Sequence, residues 1–219
     1  MSEKKVITID GPAASGKSST AQMVAERLGF LHVDSGSLYR AATAAALRVV
    51  PDPAEWTEEV VLGAARAISL LPARSSFYPV MGGRSVEEEI RGDRVTANVS
   101  AVAKMPRVRD WVNETVRNTS ADHNVVVDGR DIGTVVFPKA RLKIFLVADA
   151  EVRAKRRLIQ KAGEVTDARL AEETRALLER DERDASQTVP AADAVVVDST
   201  ILTQAEQVAK IVALAEDRA

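Results

Sequence analysis

Short unbroken apolar runs alternate along the chain with stretches in which apolar positions recur every three or four residues. VITID (Val6–Asp10), FLHVD (Phe30–Asp34), NVVVD (Asn124–Asp128), LKIFLV (Leu142–Val147) and AVVVD (Ala194–Asp198) read as strands. Their Val and Ile residues run without polar alternation, the signature of parallel strands covered on both faces. Helical spacing predicts elements from about Lys17 to Leu28, from about Ser37 to near Pro51, and from Thr203 to about Glu216. The last would place Ala205, Val208, Ala209, Val212 and Ala215 on one face, with Thr203 as N-cap. Strands separated by helices predict an α/β domain with right-handed crossovers.

The second and third strands are far apart in the chain. Between them the pattern predicts a helix within Pro53–Leu71 around Trp56, Val60, Val61 and Ala64, then two short runs flanking Gly82-Gly83, a hairpin signal. Two helices follow, from about Asp93 to Lys104 and from Pro106 to Asn118, with Pro106 suited to a first helical position. The segment reads as an insertion able to form a mobile subdomain.

Composition narrows the chemistry. The 219 residues fit one domain with a modest insertion, and 46% hydrophobic with 28% charged residues is ordinary globular composition. A formal net charge of -2 argues against a global basic surface for duplex nucleic acid. The absence of cysteine excludes disulfides and thiolate sites, and only His32 and His123 are available for imidazole chemistry. The most apolar helical stretch, Ala41 to Val50, is interrupted by Arg48 and stops at Pro51. That is far short of the roughly 20 residues that span a bilayer. The start of the chain, MSEKKVITIDG, carries charge and only a short apolar run, so a cytoplasmic protein without membrane or nucleic-acid partners is expected.

Gly11-Pro12-Ala13-Ala14-Ser15-Gly16-Lys17-Ser18 matches G-x4-G-K-[ST] directly after one predicted strand and at the opening of a predicted helix. Backbone N–H groups of such a loop and helix start can surround phosphate oxygens. Lys17 is placed to reach β and γ phosphates, and the Ser18 hydroxyl suits Mg²⁺. The competing reading, a Gly-rich turn without ligand, leaves Lys17 without a reason. No Asn-Lys-x-Asp motif supports guanine selection. Asp128 closes an apolar run as a Walker-B-like acid does, but Gly129 rather than Glu follows it, which weakens the case for an ATPase.

Four further clusters stand out. Asp34-Ser35-Gly36-Ser37-Leu38-Tyr39-Arg40 and Asp128-Gly129-Arg130-Asp131 follow predicted strands, so both project toward the side where ligands bind in open α/β sheets. An N-capped helix start would also account for the first. Arg153, Arg156 and Arg157 share one helical face by spacing, which fits a solvated charged face equally well. Arg180 and Asp184 stand at i,i+4, which simple helix ion pairing also explains.

In order along nearly the whole chain, GPAASGKSS, VDSGSLYRA, NVSAVAKMPRVRD, VVVDGRDIGTVVFP, LKIFLVA and RDERDASQTVPAADAVVVDST resemble the bacterial cytidylate kinases of the nucleoside monophosphate kinase superfamily. DGRDIGTVVFP and PAADAVVVDST are far more specific to that family than the phosphate loop. The resemblance implies ATP + CMP ⇌ ADP + CDP with dCMP as a further acceptor, and a monomer. It implies a P-loop NTPase-type five-stranded parallel sheet of order 2-3-1-4-5 in a single kinase domain. The core would comprise about 1–50, 122–152 and 188–219, an NMP-binding insertion about 51–121, and a short lid with flanking helices about 153–187.

By the same resemblance, Gly11, Pro12, Ala13, Ala14, Ser15, Gly16, Lys17, Ser18 and Ser19 contact ATP. Ser35, Ser100, Arg109 and Asp131 surround the cytosine, Arg40 and Arg130 hold the acceptor phosphate, and Arg180 and Asp184 hold the ribose. Lys17, Arg130, Arg153, Arg156 and Arg157 act on the transferred phosphoryl group. Ser18 and Asp128 hold Mg²⁺, Asp128 through water. The chain departs from the family at Gln187, where the R-D-x-x-D-x-x-R run usually ends in Arg, and between Arg157 and Asp167, which is short. A kinase for another monophosphate such as UMP or dTMP, and a non-catalytic ATP-binding switch, are the alternatives. The second-substrate clusters speak against the switch.

Overall fold

The computed structural model describes residues 4–161 and 163–218. Met1–Glu3, where the N-terminal reading begins, Ala162 in the short segment after Arg157, and Ala219 lie outside the described residues. Strand β1 (Val6–Asp10) leads through the Gly-rich loop into α1 (Lys17–Leu28), followed by β2 (Leu31–Asp34) and α2 (Ser35–Val49). The intervening segment contains α3 (Glu58–Ala65), β3 (Ile68–Pro72), β4 (Phe77–Met81), β5 (Arg84–Ser85), α4 (Asp93–Val102) and α5 (Pro106–Ser120). The chain then returns through β6 (Val125–Gly129), β7 (Leu142–Val147), α6 (Ala150–Gln160), α7 (Asp167–Asp184), β8 (Val195–Asp198) and α8 (Gln204–Asp217).

The main sheet has the order β2-β6-β1-β7-β8, with every pairing parallel. Counting only its own strands in chain order, this is the expected 2-3-1-4-5. Consecutive valines of β6 face opposite sides. Val126 packs with Ala21, Val24, Val208 and Ile211 of α1 and α8, while Val125 and Val127 pack with Leu38, Val112 and Val116 of α2 and α5. Both faces are covered, so every position can be apolar, and each fully buried Val or Ile contributes about 1.5–3 kcal/mol. β1 lies at the switch in strand order, where its carboxyl end opens into a crevice.

Three expectations change. The helix expected around Trp56 starts only at Glu58, because the Thr57 hydroxyl caps it by accepting from Val60 N at 3.3 Å. Trp56 lies outside it and donates through Nε1 to the Val50 carbonyl at 2.9 Å. Ile68–Pro72 is not helical but pairs antiparallel with β4, giving the insertion a three-stranded sheet, β3-β4-β5. The β4–β5 turn uses Gly82 and Gly83, both at positive φ (56 and 77), as a tight hairpin requires. In α8, Thr203 forms a full capping box with Glu206, but Ala205 and Ala209 are exposed; Val208 and Ile211 face the core. A small alanine has little area to bury, so the large aliphatic side chains set the helix rotation.

Candidate active site

The phosphate loop is shaped by what surrounds it. A Cβ on Gly11 would lie 2.1 Å from the Leu146 carbonyl oxygen of β7, so no other residue fits there. Ala14 has φ 57, the one positive value among described non-glycine residues, a strain of about 1 kcal/mol or more of the kind found at ligand-binding loops. Gly16 precedes α1 without a side-chain cap, which leaves the first helical N–H groups open to an anion. Lys17 is buried and donates to the Pro12 carbonyl at 2.6 Å. Burial, then Arg130, pushes its ammonium well below the lysine range, against the pull of Asp128, Asp10 and Asp34.

Arg153 and Asp181 clamp the loop crest. Arg153 Nη1 donates to the Ala13 carbonyl at 2.9 Å, Nε to the Ala148 carbonyl at 3.0 Å, and Nη2 pairs with Asp181 at 2.7 Å. Asp181 also accepts from Ala13 N at 3.3 Å. The three arginines expected to act together therefore separate. Arg153 is spent on the loop, and Arg156 binds Ser199 Oγ at 3.2 Å and the Ser199 carbonyl at 2.6 Å, away from Arg153's partners. Arg157 pairs with Glu173 at 2.9 Å and borders a cleft of about 390 Å³ together with Ser100 and Arg180.

Strand β6 delivers the next group. Asp128 accepts from Ser18 Oγ at 2.6 Å through Oδ2 and meets His32 Nε2 at 2.7 Å through Oδ1. Burial pushes the Asp128 carboxyl up, but His32, Ser18 and Lys17 outweigh it and the net displacement is downward. For His32, burial acts downward and the Asp128 partnership raises it overall. One carboxylate and one hydroxyl at the start of α1 form a hard-oxygen pair of the kind that holds Mg²⁺ alongside phosphate and water ligands. Among the described residues no group of three or more His, Cys, Asp or Glu forms a cage of its own. Ser35 is buried and donates to the Asp128 carbonyl at 2.7 Å, so its hydroxyl props the strand end.

Past β6, Ile132 N and Gly133 N donate to the two oxygens of Asp10, both at 2.8 Å, fixing the turn that carries Arg130 and Asp131. Burial pushes the Asp10 carboxyl up to about 6 against those two bonds. Arg130 Nε and Arg180 Nε both approach Asp184 Oδ2, at 3.6 and 3.7 Å, too far to bond, and each is buried without a hydrogen-bond partner. Arg40 donates to the Ile90 carbonyl at 3.2 Å and Thr96 Oγ1 at 3.1 Å. Arg180 is pushed down to about 10, by burial first, then Arg130, with Arg40 and Arg157 adding to it against Asp184. Four guanidinium groups, near enough to disfavour one another's charge, form a cationic cluster that suits an anion. Beside it, Arg109 Nη2 pairs with Asp131 and its Nη1 donates to Gln187 Oε1 at 3.0 Å. Gln187, the last position of the R-D-x-x-D-x-x-R run, lies past the end of α7 in a 3-10 turn, Ala185–Gln187.

Sequence reasoning did not single out Asp10, and it gave no role to His32, noted only as an available imidazole, or to Asp181, noted only within the R-D-x-x-D-x-x-R run. The signal for the first two was a polar residue inside an apolar strand.

A phosphate loop at the switch point of an open parallel sheet, facing a second cationic site, defines a P-loop protein built for phosphoryl transfer. The fold agrees with that of shikimate kinase from Bacteroides thetaiotaomicron, with a TM-score of 0.50 at 13% identity over 97% of this chain and 98% of that one. The family model "Cytidylate kinase" matches residues 7–217. A cytidylate kinase from Desulforamulus reducens is 41% identical over 99% of both chains. One from Mycolicibacterium paratuberculosis is 43% identical over 94% of this chain and 92% of its own. The chain belongs to the cytidylate kinase family. Among the described residues no helix is long and apolar enough to cross a membrane.

Proposed function

We propose that this protein transfers the γ-phosphoryl group of ATP to CMP, and to dCMP, releasing ADP and the pyrimidine diphosphate. The observation that carries the reading is the crowding of Arg40, Arg130, Arg157 and Arg180, with the Nε donors of Arg130 and Arg180 buried and unpartnered, next to the phosphate loop. Such charge is costly unless a polyanion neutralises it. The relatives' name supplies the acceptor.

A phosphate oxygen of CMP is the nucleophile. Its second pKa lies near 6, by analogy with other phosphomonoesters, so it is mostly ionised at neutral pH without a general base. A bond forms from that oxygen to the γ-phosphorus as the bond to the β–γ bridging oxygen breaks, and ADP leaves with the electron pair. The chain's task is to bring two anions in line and to hold the charge that develops. The loop amides and Lys17 take the ATP phosphates. Arg40 and Arg130 take the acceptor phosphate, Arg157 borders the path between, and Arg180 with Asp184 takes the ribose. Ser18 directly, and Asp128 through water, would hold Mg²⁺, which neutralises phosphate charge. Arg153 serves by fixing the loop, and Arg156 by fixing the segment around Ser199.

Cytosine presents a donor at N4 and acceptors at N3 and O2. Asp131 suits the donor; Arg109 and Ser100 suit the acceptors. Uracil reverses the polarity at positions 3 and 4, leaving buried groups unpaired, and a hydrogen-bonding site rejects such an analogue strongly. The insertion and the α6–α7 lid close over both nucleotides and keep water from the phosphoryl group. One chain carries every residue invoked, which supports a monomer acting on small molecules alone. A coupled assay with ATP and CMP, dCMP, UMP, dTMP or AMP tests the reading. Release of ADP should depend on CMP or dCMP. Preference for another acceptor, or ATP binding without acceptor-dependent ADP, would overturn it.

A further inference from the structure

The Arg109 guanidinium is held from three sides. Nη2 pairs with Asp131, while Nη1 donates to Gln187 Oε1 at 3.0 Å and to the Ala103 carbonyl at 3.3 Å. A guanidinium only donates, so the Gln187 carboxamide must turn its oxygen toward it. Arg109 belongs to α5 and Asp131 to the turn after β6, but Gln187 comes from another wall, the turn that ends α7 just past Asp184. The pair is largely shielded: the Arg109 and Asp131 side chains are 18% and 14% exposed.

We infer that Gln187 is a positioning residue for pyrimidine recognition, its carboxamide oxygen holding Arg109 in the orientation that reads the base. This rests on the assignment of Arg109 and Asp131 to the base. In that assignment the Asp131 carboxylate serves two donors, Arg109 and the cytosine amino group. When the base arrives the carboxylate is shared, and Arg109 loses part of its anchor. Gln187 supplies, beside the longer contact to the Ala103 carbonyl, an acceptor that the base does not compete for. Nη1 stays fixed while Nη2 turns toward the base acceptors. Because Gln187 sits at the end of α7, reading of the base is tied to the wall that carries Arg180 and Asp184. A cation at this position would not serve: an arginine only donates, so it offers Arg109 no acceptor and sets one cation against another at hydrogen-bond distance.

Steady-state kinetics of the full chain, varying CMP at saturating ATP and the reverse, with thermal melting alongside, test the inference on three variants. Gln187→Leu keeps the bulk and loses the acceptor. It should raise the CMP KM about tenfold, the scale of one hydrogen bond to a charged group, with the ATP KM and Tm unmoved. Gln187→Glu keeps an acceptor and should hold the CMP KM within about threefold of the parent, since a charged acceptor replaces a neutral one without loss of the bond. Gln187→Arg should raise the CMP KM at least as far as Gln187→Leu. An unchanged CMP KM for Gln187→Leu, or an equal rise in the ATP KM, overturns the inference. So does a lowered CMP KM for Gln187→Arg, which would set position 187 against phosphate. If the parent prefers another monophosphate, the cytidine reading fails by itself, and the KM of that acceptor across the same variants decides for or against Gln187.

Discussion

Arg153→Met separates a scaffold role from a catalytic one. The side chain is 5% exposed and its guanidinium donates to two carbonyls, of Ala13 and Ala148, and to Asp181. Methionine has comparable reach and no donor, so both carbonyls and a carboxylate lose a partner. Removing one member of a buried ion pair costs about 3–5 kcal/mol. Asp181 is 24% exposed, and solvent access at that oxygen brings the value toward the low end, about 3 kcal/mol. At roughly 2–4 °C per kcal/mol for a chain of this size, Tm should fall by about 6–12 °C. The double variant Arg153→Met/Asp181→Leu removes the stranded carboxylate as well, and should melt above the single variant. With Ala13 released the loop loosens, so the KM for ATP should rise while turnover at saturating ATP changes little. The measurements are calorimetric melting and steady-state kinetics with each substrate varied. A single variant that melts with the parent yet loses more than about a hundredfold in turnover would mean that Arg153 touches the phosphoryl group, a loss on the scale of a principal electrostatic contact.

Lys17→Ala should lower turnover at least about a hundredfold in the coupled assay with Tm unreduced, because the group it removes is electrostatic and itself disfavoured by burial. Asp131→Asn offers a donor as well as an acceptor to the base, so the ratio of CMP to UMP specificity constants should narrow; an unchanged ratio would detach Asp131 from base reading. Asp10 bears on pH. Its folded pKa of about 6 lies above the unfolded carboxyl value, so the folded chain holds the extra proton and this group's contribution falls by about 3 kcal/mol as pH rises from about 4 to 6. Urea unfolding of the parent and of Asp10→Asn at pH 4.5 and 6.5 should show the parent losing ground to the variant at the higher pH; parallel profiles would refute it.

The central sheet was readable because five apolar runs alternating with helices fit a parallel sheet covered on both faces, and the loop because its chemistry is local. Contacts between distant elements were not readable. Spacing puts Arg153, Arg156 and Arg157 on one arc of α6, yet nothing in it says that Ala13 lies over the first, Ser199 over the second and Glu173 over the third. Ile68–Pro72 was lost to the preceding helical pattern because a single short apolar run carries no period; only its partner β4 makes it a strand. Asp10 and His32 were within reach. A carboxylate closing a buried strand must find donors, and a buried imidazole must find a partner, but which donors and which partner depends on the β6 register beside β1 and β2.

The arginine cluster makes a last demand on the energetics. Arg180 holds its proton less tightly in the folded chain than in the unfolded one, mainly through burial and the nearness of Arg130. A cation displaced downward in this way carries its penalty at every pH below its folded value of about 10, so the penalty is fully present at neutral pH. The displacement sets an upper bound of about 3 kcal/mol, and partial solvent access reduces it to roughly 1–2 kcal/mol. Arg180→Met removes the charge and keeps the bulk, while Asp184 remains 3.6 Å from Arg130 Nε. The free variant should therefore melt higher than the parent, by about 2–8 °C. Its KM for CMP should rise about tenfold or more, because a charge-assisted contact to the acceptor is gone. Stability and function would then move in opposite directions at one position, as expected where a site holds charge in readiness for a ligand. If Arg180→Met melts lower than the parent, Arg180 is a net structural ion-pair partner of Asp184, and the cluster is not held under mutual repulsion.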